Sequence, residues 1–91
     1  MIEDYIKMEA VVTLTRIPEK DRDKVTQLWV LEFMCPAEGI ITDGYTEHKE
    51  ALDEYSYRYS QHYMDDVGPP HLYTVKKEKD GTWTWEDTKN D

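Results

Sequence analysis

The sequence lacks the features of several common protein classes. Its single cysteine, Cys35, excludes an intrachain disulfide bond, and we expect it to be a small, partly buried hydrophobic residue. The four glycines are scattered, so no phosphate-binding loop is present. No run approaches the roughly eighteen apolar residues of a membrane-spanning helix, and the first residues are acidic where a signal peptide begins basic. These absences predict a soluble protein of a reducing compartment, the cytoplasm, or the host cytoplasm if the protein is viral.

Basic residues are also scarce relative to acidic ones. The 91 residues include 11 Lys and Arg against 20 Asp and Glu, a formal net charge of -9. Nucleic acids and anionic membranes are themselves negative, so the sequence predicts that neither is a direct partner. The chain is long enough for one small domain, 1–91, and an aromatic content of 12% indicates that it folds. We expect residues 88–91 to form a frayed tail.

Two patterns predict strands in the first third of the chain. Apolar and polar residues alternate over 6–17, which is typical of a half-buried strand. The run 25–34 is apolar on both faces, which favours a central strand; a helix beginning at Pro18 is the competing interpretation for 19–34. Residues 35–42 include Pro36 and Gly39 and are predicted to form a loop.

A long helix is predicted in the middle of the sequence, over 44–64. It is indicated by an apolar and aromatic stripe with spacings of three and four: Tyr45, His48, Leu52, Tyr55, Tyr59 and His62. Gly68 and the two prolines that follow it end the helix, because glycine accepts the left-handed conformation and proline cannot continue a helix.

The C-terminal segment is predicted to form a β-hairpin that turns at Asp80 and Gly81. A two-residue loop would mix apolar and charged side chains on both faces. A three-residue loop over 79–81 gathers the aromatic side chains on one face, through the pairs Tyr73–Asp87, Val75–Trp85 and Lys77–Trp83. We therefore expect an α+β fold of order β-β-α-β-β, a four-stranded, mostly antiparallel sheet with one long helix packed on one face. The other face is expected to be solvated or open to a partner.

The excess negative charge is concentrated in one segment. Residues 30–75 hold nine carboxylates against only Lys49 and Arg58, a net of -7, whereas the rest of the chain has a net of -2. At about 100° per residue, many of these carboxylates fall within one arc of the predicted helix, opposite its apolar stripe. Their spacing of about 5–6 Å resembles that of nucleic-acid phosphates, so the row can compete for a basic groove. The alternative is an acidic solvent face that only keeps the protein soluble.

This row and the tyrosines beside it form the predicted partner-binding surface. Tyrosine offers a large contact area and stacks with Arg and Lys side chains. The candidate residues are Asp43, Glu47, Glu50, Glu54, Tyr57, Gln61, Tyr63, Asp65 and Asp66. No catalytic, cofactor-binding or metal-ligating residue is assigned, and we expect the protein not to be an enzyme.

The leading hypothesis is a small acidic protein that binds another protein whose surface is basic and binds nucleic acid. In general character the chain resembles the small acidic inhibitors that phages encode against host defence complexes, such as anti-CRISPR proteins, although no motif identifies a family. One alternative is a homodimerising or scaffold module that uses an aromatic sheet face containing Trp29, Trp83 and Trp85. A second is a small ligand- or metal-binding domain around His62, Asp65, Asp66 and His71.

Overall fold

The computed structural model describes residues 2–89 and shows a four-stranded antiparallel sheet with helices on both sides. The elements are α1 (Ile2–Thr15), α2 (Glu19–Arg22), β1 (Gln27–Cys35), β2 (Gly39–Tyr45), α3 (His48–Asp65), β3 (His71–Lys77) and β4 (Trp83–Lys89). The strand order across the sheet is β2-β1-β3-β4. The predicted α+β fold with a four-stranded antiparallel sheet is confirmed. None of the helices within this range is both long enough and apolar enough to cross a membrane.

The prediction of a strand over 6–17 is wrong, because most of this segment belongs to helix α1. Ile6, Ala10 and Thr13 recur at spacings of four and three and are buried against the sheet. The alternation was misleading because Met8 and Val12 are apolar but lie on the exposed side of the helix. A helix that is apolar on both sides also satisfies a period of two, and only burial distinguishes the two interpretations.

Helix α2 is a single turn that connects α1 to the sheet. The helix considered at Pro18 therefore exists but ends at Arg22, and the strand predicted over 25–34 is confirmed as β1. The Nε atom of Arg22 donates to the carbonyl oxygens of Leu14 and Ile17, both at 3.0 Å. These bonds satisfy carbonyl groups at the end of α1, which a helix leaves without intrahelical partners.

The fourth strand is β2, and it occupies part of a segment predicted as a loop. The loop predicted over 35–42 is confirmed only for the turn after β1, where the Glu38 N–H donates to the Cys35 carbonyl at 3.2 Å. Gly39 then begins β2 with a φ of 88°, a conformation that favours glycine. β2 pairs with β1 from Trp29–Tyr45 at one end to Cys35–Gly39 at the other. Its glycines and Asp43 weaken the strand pattern in the sequence.

The β3–β4 hairpin has the predicted register. The pairs are confirmed as Tyr73–Asp87, Val75–Trp85 and Lys77–Trp83. The Glu78 N–H donates to the Thr82 carbonyl at 2.7 Å, which closes a three-residue loop, and Gly81 has a φ of 89°. β4 continues through Lys89, so the predicted tail over 88–91 is wrong for its first two residues. Residues 90–91 lie outside the described residues.

Each face of the sheet is covered by one helix. The core under α1 contains Ile6, Ala10, Leu28, Val30, Tyr73 and Val75. The core under α3 contains Leu31, Phe33, Ala51 and Leu72. The long helix packs on one face as predicted, but α1 covers the face that was expected to be solvated or open. Trp83 and Trp85 pack beside the α1 core and Trp29 beside the α3 core, so the tryptophans do not share one face.

Candidate functional site

Helix α3 is the element that positions most of the candidate residues. It runs from His48 to Asp65, so it begins four residues later than the predicted span of 44–64. The shift arises because Gly44 and Tyr45 pair with β1 as the end of β2. At its other end Asp66 adopts the left-handed conformation, with φ 55° and ψ 44°, and donates its N–H to the His62 carbonyl. This residue terminates the helix before Gly68 is reached.

The acidic row lies on one flank of α3 rather than opposite its buried stripe. Ala51, Leu52 and Tyr55 pack toward the sheet. At 100° per residue, the row is centred about 110° around the helix from that stripe. Accordingly, Glu54 and Gln61 are half-buried, which a residue opposite the stripe would not be. We call this surface, with its neighbour on β2, the acidic flank: Asp43, Glu47, Glu50, Glu54, Tyr57, Gln61 and Asp65.

The acidic flank faces the edge strand β2, as the Tyr45 hydroxyl shows. Burial above all, together with the negative charges of Asp43, Glu54 and Glu50, raises the pKa of Tyr45 to about 12, against the opposing effect of Arg58. These three carboxylates come from β2 and from two turns of α3. Their joint effect on one hydroxyl places all three within electrostatic range of the junction between strand and helix.

Most of this negative charge has no counter-charge from the described part of the chain. The flank contains one ion pair, in which Arg58 Nε lies 2.9 Å from Glu54 Oε2. The other carboxylates of the flank, Asp43, Glu47, Glu50 and Asp65, form no ion pair with any residue in 2–89. The acidic flank therefore has a net negative charge, and Arg58 is the base that pairs with one of its carboxylates.

Arg58 is held in place as part of the packing of α3. Its guanidinium lies 4.1 Å from the centre of the Phe33 ring and 5.3 Å from the centre of the Tyr57 ring. Cation–π contacts of this kind add to the ion pair with Glu54. Arg58 divides the flank into a dense part near the start of α3 and a sparse part that contains Asp65. The Tyr57 side chain is 52% exposed at this division, so it remains accessible to a partner.

Tyr63 and Asp66 lie apart from the other candidate residues. Tyr63 is about 160° around the helix from the centre of the flank. Its ring lies 4.1 Å from that of His62, and its hydroxyl donates to the Tyr59 hydroxyl at 3.3 Å. Asp66 lies beyond the end of α3. Seven of the nine predicted residues thus form one surface, and these two do not.

Glu9 is a neighbour of the acidic flank that sequence reasoning missed. Burial raises the pKa of its carboxyl group, opposed by Arg16 and by a hydrogen bond from Thr42, and Asp43 raises it further. The influence of Asp43 places Glu9 near the same edge strand, on the side covered by α1. No signal in the sequence could have joined Glu9 to the row, because the contact depends on how α1 packs against β2.

The four residues of the ligand- or metal-binding hypothesis are not brought together. His62 and Asp65 line a cavity of about 30 Å³, large enough for about one water molecule. His62 Nδ1 contacts the Val67 carbonyl at 3.2 Å, and its Nε2 is buried without a hydrogen-bond partner among the described residues. His71 instead pairs with Asp87 on β4 at 3.0 Å. Within residues 2–89, no three His, Cys, Asp or Glu side chains could hold a metal ion.

The side of α3 toward β4 differs from the acidic flank. A shallow groove of about 470 Å³ lies there, between the start of α3 and the β3–β4 hairpin. Trp29 and His48 stack at its edge with ring centres 5.1 Å apart, and Thr74, Lys76, Glu86 and Thr88 line its floor. This groove is polar with mixed charge, so of these two surfaces of α3 the acidic flank is the one with a large excess of negative charge.

Comparison with protein-family models, with curated proteins and with solved structures finds no match.

Proposed function

We propose that the protein is not an enzyme and acts by binding the basic surface of another protein through the acidic flank. The observation that carries this proposal is that four carboxylates of the acidic flank, Asp43, Glu47, Glu50 and Asp65, form no ion pair within residues 2–89. Like charges one turn apart destabilise an isolated helix by a few tenths of a kcal/mol per pair. A basic partner would relieve this repulsion.

The spacing of the carboxylates along the acidic flank supports mimicry of a nucleic acid. Carboxylates on one side of a helix recur about every 5–6 Å, on the same scale as phosphates along a nucleic-acid strand. From Glu47 to Asp65 the acidic flank is about 27 Å long, at a helical rise of 1.5 Å per residue. The partner surface is therefore proposed to be a nucleic-acid-binding groove, as in a nucleic-acid-handling enzyme or a phage-targeted defence complex of the kind that anti-CRISPR proteins inhibit.

The principal contacts are proposed to come from the dense part of the acidic flank, near the start of α3. Glu47 and Glu50 are exposed and lie where the helix dipole favours negative charge. Glu54 is already engaged by Arg58, and Tyr57 lies beside that pair. Arg or Lys side chains of the partner would pair with the two free glutamates, while Tyr57 contributes desolvated contact area.

The test is capture of partners from a bacterial lysate by immobilised protein, at low and at high salt, with identification by mass spectrometry. The flank variant is Glu47→Lys with Glu50→Lys. The matched control is Glu19→Lys with Asp23→Lys, which changes the net charge equally at exposed positions outside the flank. We expect the wild type and the control to capture the same nucleic-acid-binding proteins at low salt, and the flank variant to lose them.

A second measurement uses the captured protein and its nucleic acid. The wild type should displace the nucleic acid, and the flank variant should not. If the flank variant captured the same proteins as the wild type, the acidic flank would not be the interface. Equal loss in the control would show that binding follows net charge rather than the position of the carboxylates.

A further inference from the structure

Helix α1 carries a second unusual surface, on the side turned away from the sheet. Tyr5, Met8, Val11 and Val12 are large apolar residues with exposed fractions of 51%, 60%, 58% and 41%. We call these four residues the outer face of α1. On the inner side of the same helix, Ile6 and Ala10 are buried against the sheet. A contiguous exposed apolar patch on a small folded protein marks an interaction site, so the outer face indicates a missing contact.

The outer face is separated from the acidic flank by the whole sheet. α1 packs on the core opposite that of α3, with Thr13 against Gly44 and Glu9 bonded to Thr42. The N-terminal segment that carries it is nearly neutral, because residues 2–24 contain six acids and five bases, a net of -1. The segment 30–75, in contrast, has a net of -7. A partner at α1 is therefore selected by apolar contact and not by charge.

We infer that the outer face of α1 binds the same face of a second copy of this chain. Tyr5, Met8 and Val12 follow spacings of three and four, the pattern of a seam between two packed helices. In an antiparallel two-fold arrangement, Tyr5 lies opposite the partner's Val12, and the two Met8 side chains meet near the axis. The face is thus complementary to itself.

The charge of the protein does not oppose this dimer. Two chains of net charge -9 repel each other if their acidic surfaces approach. With the two copies of α1 in contact at the centre, the two copies of α3 lie on the outer sides. Within each copy the sheet lies between α1 and α3, which gives two layer spacings per copy, and the contact between the two α1 helices adds one more. At about 10 Å per layer this is roughly 50 Å, far beyond the Debye length of about 8 Å at physiological salt.

The size of the face limits the strength of the dimer. α1 has 14 residues and is therefore about 21 Å long. Four partly exposed apolar side chains from each copy bury less than the lower bound of about 1,200 Å² for a standard specific interface. The dimer is accordingly weak, with a dissociation constant of about 10–100 µM.

Sedimentation equilibrium over a concentration series tests the dimer. The wild type should shift from 10.9 kDa toward twice that mass as concentration rises. Met8→Glu should raise the dissociation constant about 100-fold or more, because it buries a charge at the centre of the interface. Met64→Glu on α3 is the matched control, since Met64 is 79% exposed and outside the outer face of α1, and it should leave the dimer intact.

A mixing experiment separates loss of the interface from loss of folding. Met8→Glu and Met8→Lys chains should each be monomeric, and an equal mixture should again reach the mass of a dimer, because the two side chains meet at the axis. Failure of the mixture to associate, a monomeric wild type at every concentration, or a dimer that persists in Met8→Glu would each overturn the inference. If the wild type stays monomeric while a protein from the lysate binds α1, the partner is a different protein. That result would also overturn the inference.

Salt distinguishes this surface from the proposed function of the acidic flank. Added salt screens the repulsion between copies, so the dimer should be unchanged or tighter, whereas binding of a basic partner should weaken. Met8→Glu should leave capture through the acidic flank intact, and Glu47→Lys with Glu50→Lys should leave the dimer intact. Each proposal can therefore fail without the other.

Discussion

Helices α1 and α3 cover opposite faces of the same sheet, and they are alike inside but different outside. Both turn aliphatic residues toward the sheet, Ile6 and Ala10 from α1 and Ala51 and Leu52 from α3. Outward, α1 presents apolar residues and α3 presents carboxylates along one flank. The net charge of the chain is therefore not spread evenly over the molecule but separated by the sheet.

This difference shows which residues folding requires and which it only permits. Burial of the inner residues drives folding, because it removes apolar surface from water. The outer residues gain little from folding: most carboxylates of the acidic flank are unpaired and repel each other, and Met8 and Val11 remain in contact with water. Surfaces that are unfavourable in the isolated chain are the places where a partner adds stability, which is why both proposals are located on them.

The largest expected effect tests whether the two faces belong to one cooperative unit. Leu28 lies under α1 and Leu31 under α3, and both are fully buried on β1. Leu28→Ala and Leu31→Ala should each lower the free energy of unfolding by about 2–5 kcal/mol through loss of packing. Urea denaturation followed by tryptophan fluorescence and by circular dichroism measures this, with coincident transitions for the two probes.

Met34→Ala is the control on the same strand, because Met34 is partly exposed and should change stability little. If Leu28→Ala left stability nearly unchanged while Leu31→Ala did not, α1 would be a loosely attached helix. The comparison of the two faces would then fail at its inner side.

A smaller effect is expected at the contact between α1 and the edge strand. Gly44→Ala places a Cβ atom on the side chain of Thr13, and overpacking of this kind lowers stability by about 1–3 kcal/mol. Thr13→Ala in the same chain should restore part of the loss, because it removes the hydroxyl that the new methyl group meets. Thermal unfolding measures both. Gly68→Ala is the control, since no atom lies within 4 Å of its added Cβ, and an equal loss there would contradict the contact.

The last effect is absent at neutral pH, appears only in alkaline solution and compares the electrostatics of the two faces. The pKa values of Tyr45 beside α3 and Tyr73 beneath α1 are both raised from 10.0 to about 12, chiefly by burial. Between these values the folded state keeps protons that the unfolded chain loses. Stability should therefore be unaffected below pH 10, then fall as the pH rises from 10 to about 12. Tyr45→Phe and Tyr73→Phe should each reduce this fall.

The two tyrosines should respond differently to the acidic flank. Glu50 contributes to the raised pKa of Tyr45 but Tyr73 is influenced by Glu32 and Asp87 instead. Glu50→Gln should therefore lower the pKa of Tyr45 and leave that of Tyr73 unchanged, as followed by the ultraviolet absorbance of tyrosinate. An equal shift of the two hydroxyls would show that the influence of Glu50 is not confined to one side of the sheet.

Local patterns predicted some elements well and others not. The hairpin register followed from the facing of four residues, Tyr73, Val75, Trp83 and Trp85, because a shift of one residue would have moved both tryptophans to the face opposite Tyr73 and Val75. The strand β2 was missed because its residues depend on distant partners: Gly44 is needed only where Thr13 approaches. α1 was misassigned because its outer apolar residues are not buried by this chain.

The candidate site was predictable in its members but not in its position. Segment charge identified the carboxylates, and helical periodicity aligned those on α3. Periodicity alone placed the row opposite the core, since it says nothing of how a helix is rotated on a sheet. Packing decided that rotation through Arg58, which stacks on Phe33 and holds Glu54 at the boundary.

The sequence by itself determined the charge excess of segment 30–75, the long helix that carries most of it, and the C-terminal hairpin. These depend on neighbours within a few residues, whose spacing is fixed by the geometry of helices and strands. Only the tertiary structure decided that β2 is a strand, that α1 covers the second face, and that Asp43 and Glu9 join the carboxylates of α3 at one edge. Contacts between residues far apart in the chain determine these features, because burial and electrostatic proximity are properties of the folded arrangement.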